Sequence, residues 1–265
     1  MFITLTTDFG TRQGSQSVMH GVIYRIAPQA VITDLTHHIT PFKILEAGFV
    51  LAINAFYFPE NTVHVAVVDP GVGTRRRPIA AQVGSQRFIA PDNGLLSWVY
   101  ALAEKKHWPM QIVHLDNPQY WLPNVSRTFH GRDVFAPAAA HLAAGVPLEA
   151  LGAPIDDAQR LELPSAKPIP NGVEGEVIYI DEFGSAICSI LPEDLAGLGE
   201  VQVSLCGATI PSMVNTFGDR QLYGGELIAL WDSSGYLYVS ENNGTGGTII
   251  QPKPGDRLVV TRRPA

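Results

Sequence analysis

Val67-Val68-Asp69-Pro70-Gly71-Val72-Gly73-Thr74-Arg75-Arg76-Arg77 is the stretch whose reading decides the fold. With Val63, Val65 and Ala66 ahead of it, the apolar run is nearly continuous, the pattern of a strand covered on both faces in a parallel sheet. Asp69 falls at the carboxyl end of that strand. Pro70 fixes φ, Gly71 and Gly73 permit conformations closed to other residues, and three arginines follow, so a compact basic turn stands beside one carboxylate. In open α/β sheets ligands bind outside such strand ends. The glycines form no dinucleotide fingerprint, because Arg76 occupies the place of its third glycine, and the Gly-Lys-Ser/Thr of a phosphate loop is missing. By itself the turn favours a functional role only slightly over a structural turn with a solvated edge of arginines.

Upstream, residues 2–7 alternate apolar and β-branched side chains and run into Asp8-Phe9-Gly10, which predicts a first strand that also delivers a carboxylate to its carboxyl end. Residues 15–26 fit a helix stopped by Pro28, residues 30–35 a second strand, and residues 44–58 an apolar helix ended by Pro59. Downstream, residues 79–83 and 87–90 flank Gly84-Ser85 as a hairpin, and Pro91-Asp92-Asn93-Gly94 turns into a helix over residues 95–105. A strand at 111–115 and an irregular loop at 117–127 follow. Phe129-His130-Gly131-Arg132-Asp133 then opens a helix reaching residue 144. Strands alternating with helices predict an α/β domain, with a mostly parallel sheet flanked by helices, over residues 1–165.

Pro154, Pro164, Pro168 and Pro170, ending in Asn171-Gly172, mark a linker. Short strand-like runs at 177–180, 186–190, 201–205, 227–230, 236–239 and 258–261, with glycine-rich turns between them, predict a small all-β barrel domain over residues 172–265.

The 265 residues are 46% apolar and 16% charged, a globular composition whose low charge suits surface buried between subunits. A net charge of −7 excludes general nucleic-acid binding. Two cysteines, Cys188 and Cys206, are too few for a disulfide framework and are expected to be buried free thiols. The start lacks the features of a signal peptide and no apolar run is long enough to span a bilayer, so a cytoplasmic location without membrane association is expected. Eight histidines show no metal-ligand spacing; His37 and His38 are expected to be structural or surface residues, and no metal is expected. His130, at a helix mouth, sits where a side chain can point into a cleft, with a helix-capping or core histidine as the default role.

The runs Thr6-Thr7-Asp8-Phe9-Gly10, Asp69-Pro70-Gly71-Val72-Gly73-Thr74-x-Arg76, Ala90-Pro91-Asp92-Asn93-Gly94, Phe129-His130-Gly131-Arg132-Asp133 and Asp181-x-Phe183-Gly184 resemble the S-adenosyl-L-methionine hydroxide adenosyltransferases. Those enzymes hydrolyse S-adenosylmethionine to adenosine and methionine and are related to fluorinase and chlorinase. The motifs keep their order over nearly the whole chain. The resemblance implies an N-terminal α/β domain, a C-terminal β-barrel that contributes to the adenine and methionine site, and a homotrimer with active sites at subunit interfaces. The family's catalytic trio falls on Asp69, Arg76 and His130, leaving Arg75 and Arg77 as solvated neighbours. Its ribose-diol carboxylate falls on Asp8, and its aromatic contacts on Phe42 and Phe217, with Phe129 beside them. Ser15, Asp181 and Ser233 match the methionine end, and backbone at Asn242 and Asn243 the adenine edge. Ser185 stands where an adenine-reading Asn is usual, and Gln13 where an Asp is usual near the methionine ammonium. The implied reaction is attack of an activated water on ribose C5′, with no cofactor beyond the substrate. The alternative reading is a non-catalytic binding module for S-adenosylmethionine or adenosine. A halide-using relative is disfavoured, because those enzymes carry tyrosine where Asp69 stands and lack the histidine.

Overall fold

The computed structural model describes residues 1–219, 226–242 and 249–263. The chain divides into two compact units, Met1–Leu163 and Pro164–Ala265. The first contains β1 (Phe2–Thr7), α1 (Ser15–Ile26), β2 (Val31–Thr36), α2 (Ile44–Asn54), β3 (Val63–Val67), β4 (Pro78–Val83), β5 (Gln86–Pro91), α3 (Ser97–Lys106), β6 (Met110–His114) and α4 (Ala136–Ala143). Its sheet has the order β2-β1-β3-β5-β4-β6. Pairs β1–β2, β1–β3 and β3–β5 are parallel, while β4 is antiparallel to β5 and β6, so the sheet is mixed. The reversal has a local cause: Gly84-Ser85 is too short a connection for anything but antiparallel neighbours, and Gly84 has the positive φ of 52° that a tight hairpin uses.

All five residues of β3 are buried, as a strand covered on both faces requires. On one side, Met19, Val22 and Ile23 of α1 and the small residues of α4 pack onto Ile3, Leu5, Val63 and Val65. Each large side chain so buried contributes roughly 1.5–3 kcal/mol. Helix α2 packs against α3, with Phe49 and Trp98 edge to face at 5.3 Å. The expected helix over 44–58 stops as α-helix at Asn54 and tightens into a 3-10 turn, Ala55–Tyr57, ahead of Pro59. The helix expected from residue 129 begins instead as a π-helical turn, Gly131–Phe135, before α4. No helix among the described residues is long and apolar enough to cross a membrane.

His64 lies fully buried in β3, its Nδ1 2.7 Å from Thr4 Oγ1 and its ring between Phe58 and Phe88. Burial pushes its pKa down to about 4. The folded state therefore binds this proton less readily than the unfolded chain. Stability due to neutral His64 is complete above the ordinary imidazole value of about 6.5 and falls as pH drops toward 4, by roughly 3 kcal/mol in all. Denaturant unfolding at pH 7 and pH 4 should show this loss in the wild type and a smaller one in His64→Gln. Equal losses in the two proteins would contradict it.

The second unit contains β7 (Lys167–Ile169), β8 (Gly172–Ile180), β9 (Ala186–Cys188), β10 (Val201–Leu205), β11 (Ala208–Ile210), β12 (Glu226–Trp231), β13 (Leu237–Asn242) and β14 (Arg257–Arg262). The strand order is β11-β10-β14-β8-β9-β13-β12, with β7 beside β8. Every strand pair here is antiparallel among the described residues, and the end strands β11 and β12 touch, so the sheet is nearly closed and barrel-like. Strand β7 lies inside the proline-rich stretch; Pro168 is tolerated because β7 is an edge strand. That stretch is not a free linker throughout. Gln159 N–H donates to Asp92 and Leu161 N–H to Ser97, which straps it onto the first unit. Cys188 is buried and its thiol pKa pushed far up, as expected of a core thiol. Cys206 is exposed, contrary to expectation: it occupies the two-residue turn between β10 and β11 with a positive φ, where the chain has no interior to point into.

Candidate active site

Strand β1 is paired on one side with β2 and on the other with β3, so the chain reverses its direction of progress across the sheet at β1. Such a switch point leaves a crevice outside the carboxyl ends of the strands. The register Thr7↔Val67 brings those ends level, with Asp8 next after Thr7 and Asp69 two residues beyond Val67. Between them opens a cavity of about 250 Å³, lined by Asp8, Phe9, Pro41, Phe42, Val67, Asp69, Val72, Thr128, Phe129, His130 and Gly131.

The turn after β3 throws Arg76 back onto Asp69. Gly73 has φ of 75°, and a Cβ there would meet Arg127 O at 2.2 Å, so only glycine fits. Thr74 Oγ1 donates to Gly71 O at 2.6 Å and accepts the Arg76 N–H at 3.3 Å. Arg76 Nε then donates to Asp69 Oδ1 at 3.1 Å, and Nη2 to both Asp69 Oδ2 and His130 Nδ1, the latter at 3.1 Å. The guanidinium lies 5.3 Å over the Phe135 ring. The side chains of Arg76 and Asp69 are only 7% and 4% exposed. Within this buried pair, Arg76 Nη1 has no partner.

A guanidinium only donates, so His130 Nδ1 accepts, and the proton of the neutral ring resides on Nε2. Burial first, and the Arg76 charge second, push the His130 pKa below its ordinary value; Asp69 and Asp133 oppose them. Gly131 allows the close packing that fixes this histidine, since a Cβ there would lie 3.2 Å from both the Phe9 and Phe129 rings. Those rings meet edge to face at 5.7 Å. Buried Asp133 pairs with Arg132 and accepts the Ser126 N–H at 2.8 Å, which holds the 126–129 loop over the cavity.

Asp8 Oδ2 accepts the Phe42 N–H at 3.0 Å, and Asp8 lines the cavity. Phe42 itself has φ of 67° and is 68% exposed, an aromatic residue held in the left-handed region with its ring at the cavity rim. Backbone strain of this kind concentrates at ligand sites.

The first unit thus brings Asp8, Phe42, Asp69, Arg76, Phe129 and His130 together. Ser15 is the first residue of α1 and does not line the cavity. Arg77 is no solvated edge: it clamps buried Asp92 through Nε at 2.9 Å and Nη2 at 2.7 Å, and reaches Asp157 at 2.8 Å. Arg75 is exposed. Asn93, in the same turn as Asp92, donates to Val68 O at 2.9 Å and pins the strand end ahead of Asp69.

In the second unit, Asp181 organises the β8–β9 turn. Its Oδ1 accepts N–H groups of Phe183 and Ser185 at 2.9 Å, and its Oδ2 accepts Tyr238 OH at 2.5 Å. Burial and the neighbouring carboxylate push the Tyr238 pKa up to about 12. Buried Ser185 is 2.8 Å from Ser240 Oγ, and Phe217 meets Tyr238 edge to face at 6.2 Å. Ser233 is exposed in the turn after β12, Asn242 ends β13, and Asn243 lies outside the described residues. Tyr238 and Ser240 escaped the sequence reading. Their signal was the period-two alternation of Leu237-Tyr238-Val239-Ser240, which sets both on the face opposite the core.

A buried carboxylate–guanidinium–imidazole cluster thus stands at the switch-point cleft of an α/β domain, with a second carboxylate on the neighbouring strand. Family models described as the N-terminal and C-terminal domains of SAM hydroxide adenosyltransferase match residues 3–152 and 175–259. The chain is 38% identical over 264 residues to the (R)-S-adenosyl-L-methionine hydrolase of Salinispora tropica, covering 98% of this chain and 97% of that one. It is 37% identical to the (R)-S-adenosyl-L-methionine hydrolase of Thermus thermophilus, covering 94% and 95%. A crystal structure of a conserved protein from Thermotoga maritima superposes with a TM-score of 0.89 at 35% identity, covering 99% and 100%. The chain belongs to the SAM hydroxide adenosyltransferase family.

Proposed function

We propose that this protein is an enzyme that hydrolyses S-adenosyl-L-methionine to adenosine and L-methionine by attack of water on ribose C5′. The observation that carries the reading is the Asp69–Arg76–His130 relay at the cavity, with Asp8 on the neighbouring strand. Sulfonium is a leaving group that departs as a neutral thioether, so no general acid is required. Help is needed at the nucleophile alone. As the O–C5′ bond forms and the C5′–S pair of electrons moves to sulfur, the attacking water becomes acidic. The Asp69 carboxylate, whose remaining lone pairs are free of Arg76, takes its proton. Arg76, donating through Nε and Nη2, holds the Asp69 carboxylate in place for that proton transfer. His130 accepts from Arg76 and so fixes the guanidinium against Asp69.

In the same reading Asp8 accepts from the ribose hydroxyls with the lone pairs that Phe42 N–H leaves open. Phe42, Phe129 and Phe217 contact the nucleoside. Ser15, Asp181 and Ser233 take the methionine end, and Ser185 with the backbone at Asn242 and Asn243 takes the adenine edge. No cofactor takes part. The reading includes a cytoplasmic homotrimer with active sites at subunit interfaces, supported by the 16% charge content and by Phe42 and Phe217, exposed in the single chain.

Incubation with S-adenosyl-L-methionine in ¹⁸O-labelled water should yield adenosine labelled at the 5′-hydroxyl and unlabelled methionine. Absence of adenosine above background overturns the proposal. Tight calorimetric binding of intact substrate without turnover would then support a binding module, and a 5′-halogenated nucleoside formed only with halide would support a halogenating relative.

A further inference from the structure

We propose that His20, Asp34 and His37 form a binding site for a divalent transition-metal ion of the zinc class. The three residues come from α1, β2 and the segment after β2, and one potential ligand atom from each lies within 4.8 Å of the others. His20 Nε2 is 2.7 Å and His37 Nε2 3.0 Å from the same carboxylate oxygen, Asp34 Oδ1.

A hydrogen-bonded triad does not account for the whole arrangement. His37 is 4% exposed, and its Nε2 lacks an aligned hydrogen-bond partner although Asp34 Oδ1 is so near. Two imidazole nitrogens converging on one carboxylate oxygen offer an ion three donor atoms in one place. Metal–ligand bonds of about 2.0–2.1 Å in a tetrahedral zinc site put neighbouring ligand atoms about 3.3 Å apart, so a small expansion of the present cluster admits the ion. The other ring nitrogen of His37 is also placed as a ligand requires: Nδ1 lies 2.8 Å from Thr7 Oγ1, an outer partner that fixes ring orientation. Two imidazoles and one carboxylate suit zinc, with water in the fourth position. His20 and Asp34 are 25% and 37% exposed, which gives an ion a path from solvent.

The site backs onto the cleft without belonging to it. His37 O accepts the Gly10 N–H at 2.7 Å, and Thr7 Oγ1 accepts the Phe9 N–H at 3.2 Å. An ion held here ties the turn that carries Asp8 to the segment that leads to Phe42. The inference rests on these side chains and not on the hydrolase reading.

Metal-free protein prepared by dialysis against a chelator and then titrated with Zn²⁺ should bind one equivalent per chain, and Co²⁺ should give the visible bands of a four-coordinate site. His20→Gln and Asp34→Asn should each weaken binding at least tenfold, since even outer-shell partners contribute 10–100-fold. His38→Gln, on the exposed neighbour, should bind as the wild type does. Melting curves in chelator identify any variant that fails to fold. No saturable binding by wild type up to about 100 µM Zn²⁺ overturns the site. One equivalent retained in both ligand variants overturns the assignment of these residues.

Discussion

Asp69→Asn is expected to lower kcat for S-adenosyl-L-methionine hydrolysis by roughly 10²–10⁴-fold while substrate affinity changes little. Asparagine keeps the shape of the side chain and an oxygen to accept from Arg76 Nε, but it cannot take a proton from the attacking water. It also turns an amide donor toward Arg76 Nη2, whose remaining acceptor is His130. The loss therefore combines a missing base with a loosened guanidinium. Asp8 is on β1 and keeps its own contact with Phe42, so calorimetric affinity for adenosine should be retained. Single-turnover rates together with adenosine binding test this directly. A variant with near wild-type kcat would remove Asp69 from the chemistry, and one that loses adenosine binding would assign it to the pocket instead.

Arg77→Met should destabilise the protein by about 3–5 kcal/mol, because it leaves the Asp92 carboxylate buried without its counter-charge. Asp92 is 2% exposed and then keeps only the Gln159 N–H. For a protein of this size that corresponds to a melting temperature lower by roughly 6–20 °C. The exposed contact of Arg77 with Asp157 contributes little of this. Adding Asp92→Asn to Arg77→Met should recover much of the loss, since a neutral amide tolerates burial where a carboxylate does not. Arg75→Met, at an exposed position, should stay within about 0.5 kcal/mol of the wild type. Equal effects at positions 75 and 77 would show that the buried pair contributes no special stability.

Strands and helices were legible where a short periodic pattern decides them. Burial of β3 follows from its apolar run and the end of α1 from Pro28, whereas α2 gives way to a 3-10 turn at Asn54, ahead of Pro59. The π-helical turn at Gly131–Phe135 was not legible, because the sequence there carries no signal that separates a π-turn from an ordinary helix start. Nor was the strap at residues 157–161, which lies between Pro154 and Pro164 in a stretch that reads as linker but whose backbone is captured by Asp92 and Ser97.

By itself the sequence determined that two strands end in carboxylates, that a glycine turn follows the second, and that an α/β region precedes a β-rich one. It also carried the motifs by which the family is recognised. These are properties of neighbours along the chain, where backbone preference and side-chain period act over a few residues. Tertiary structure alone decided what three consecutive arginines do: Arg75 meets solvent, Arg76 turns onto Asp69 and His130, and Arg77 clamps Asp92. It alone gathered His20, Asp34 and His37 as well. Arg76 and His130 are 54 residues apart, and only the parallel pairing of β1 with β3 and the packing of α4 beneath them close that distance. Convergence across a sheet is set by which strands pair and in what register, and no local pattern encodes it.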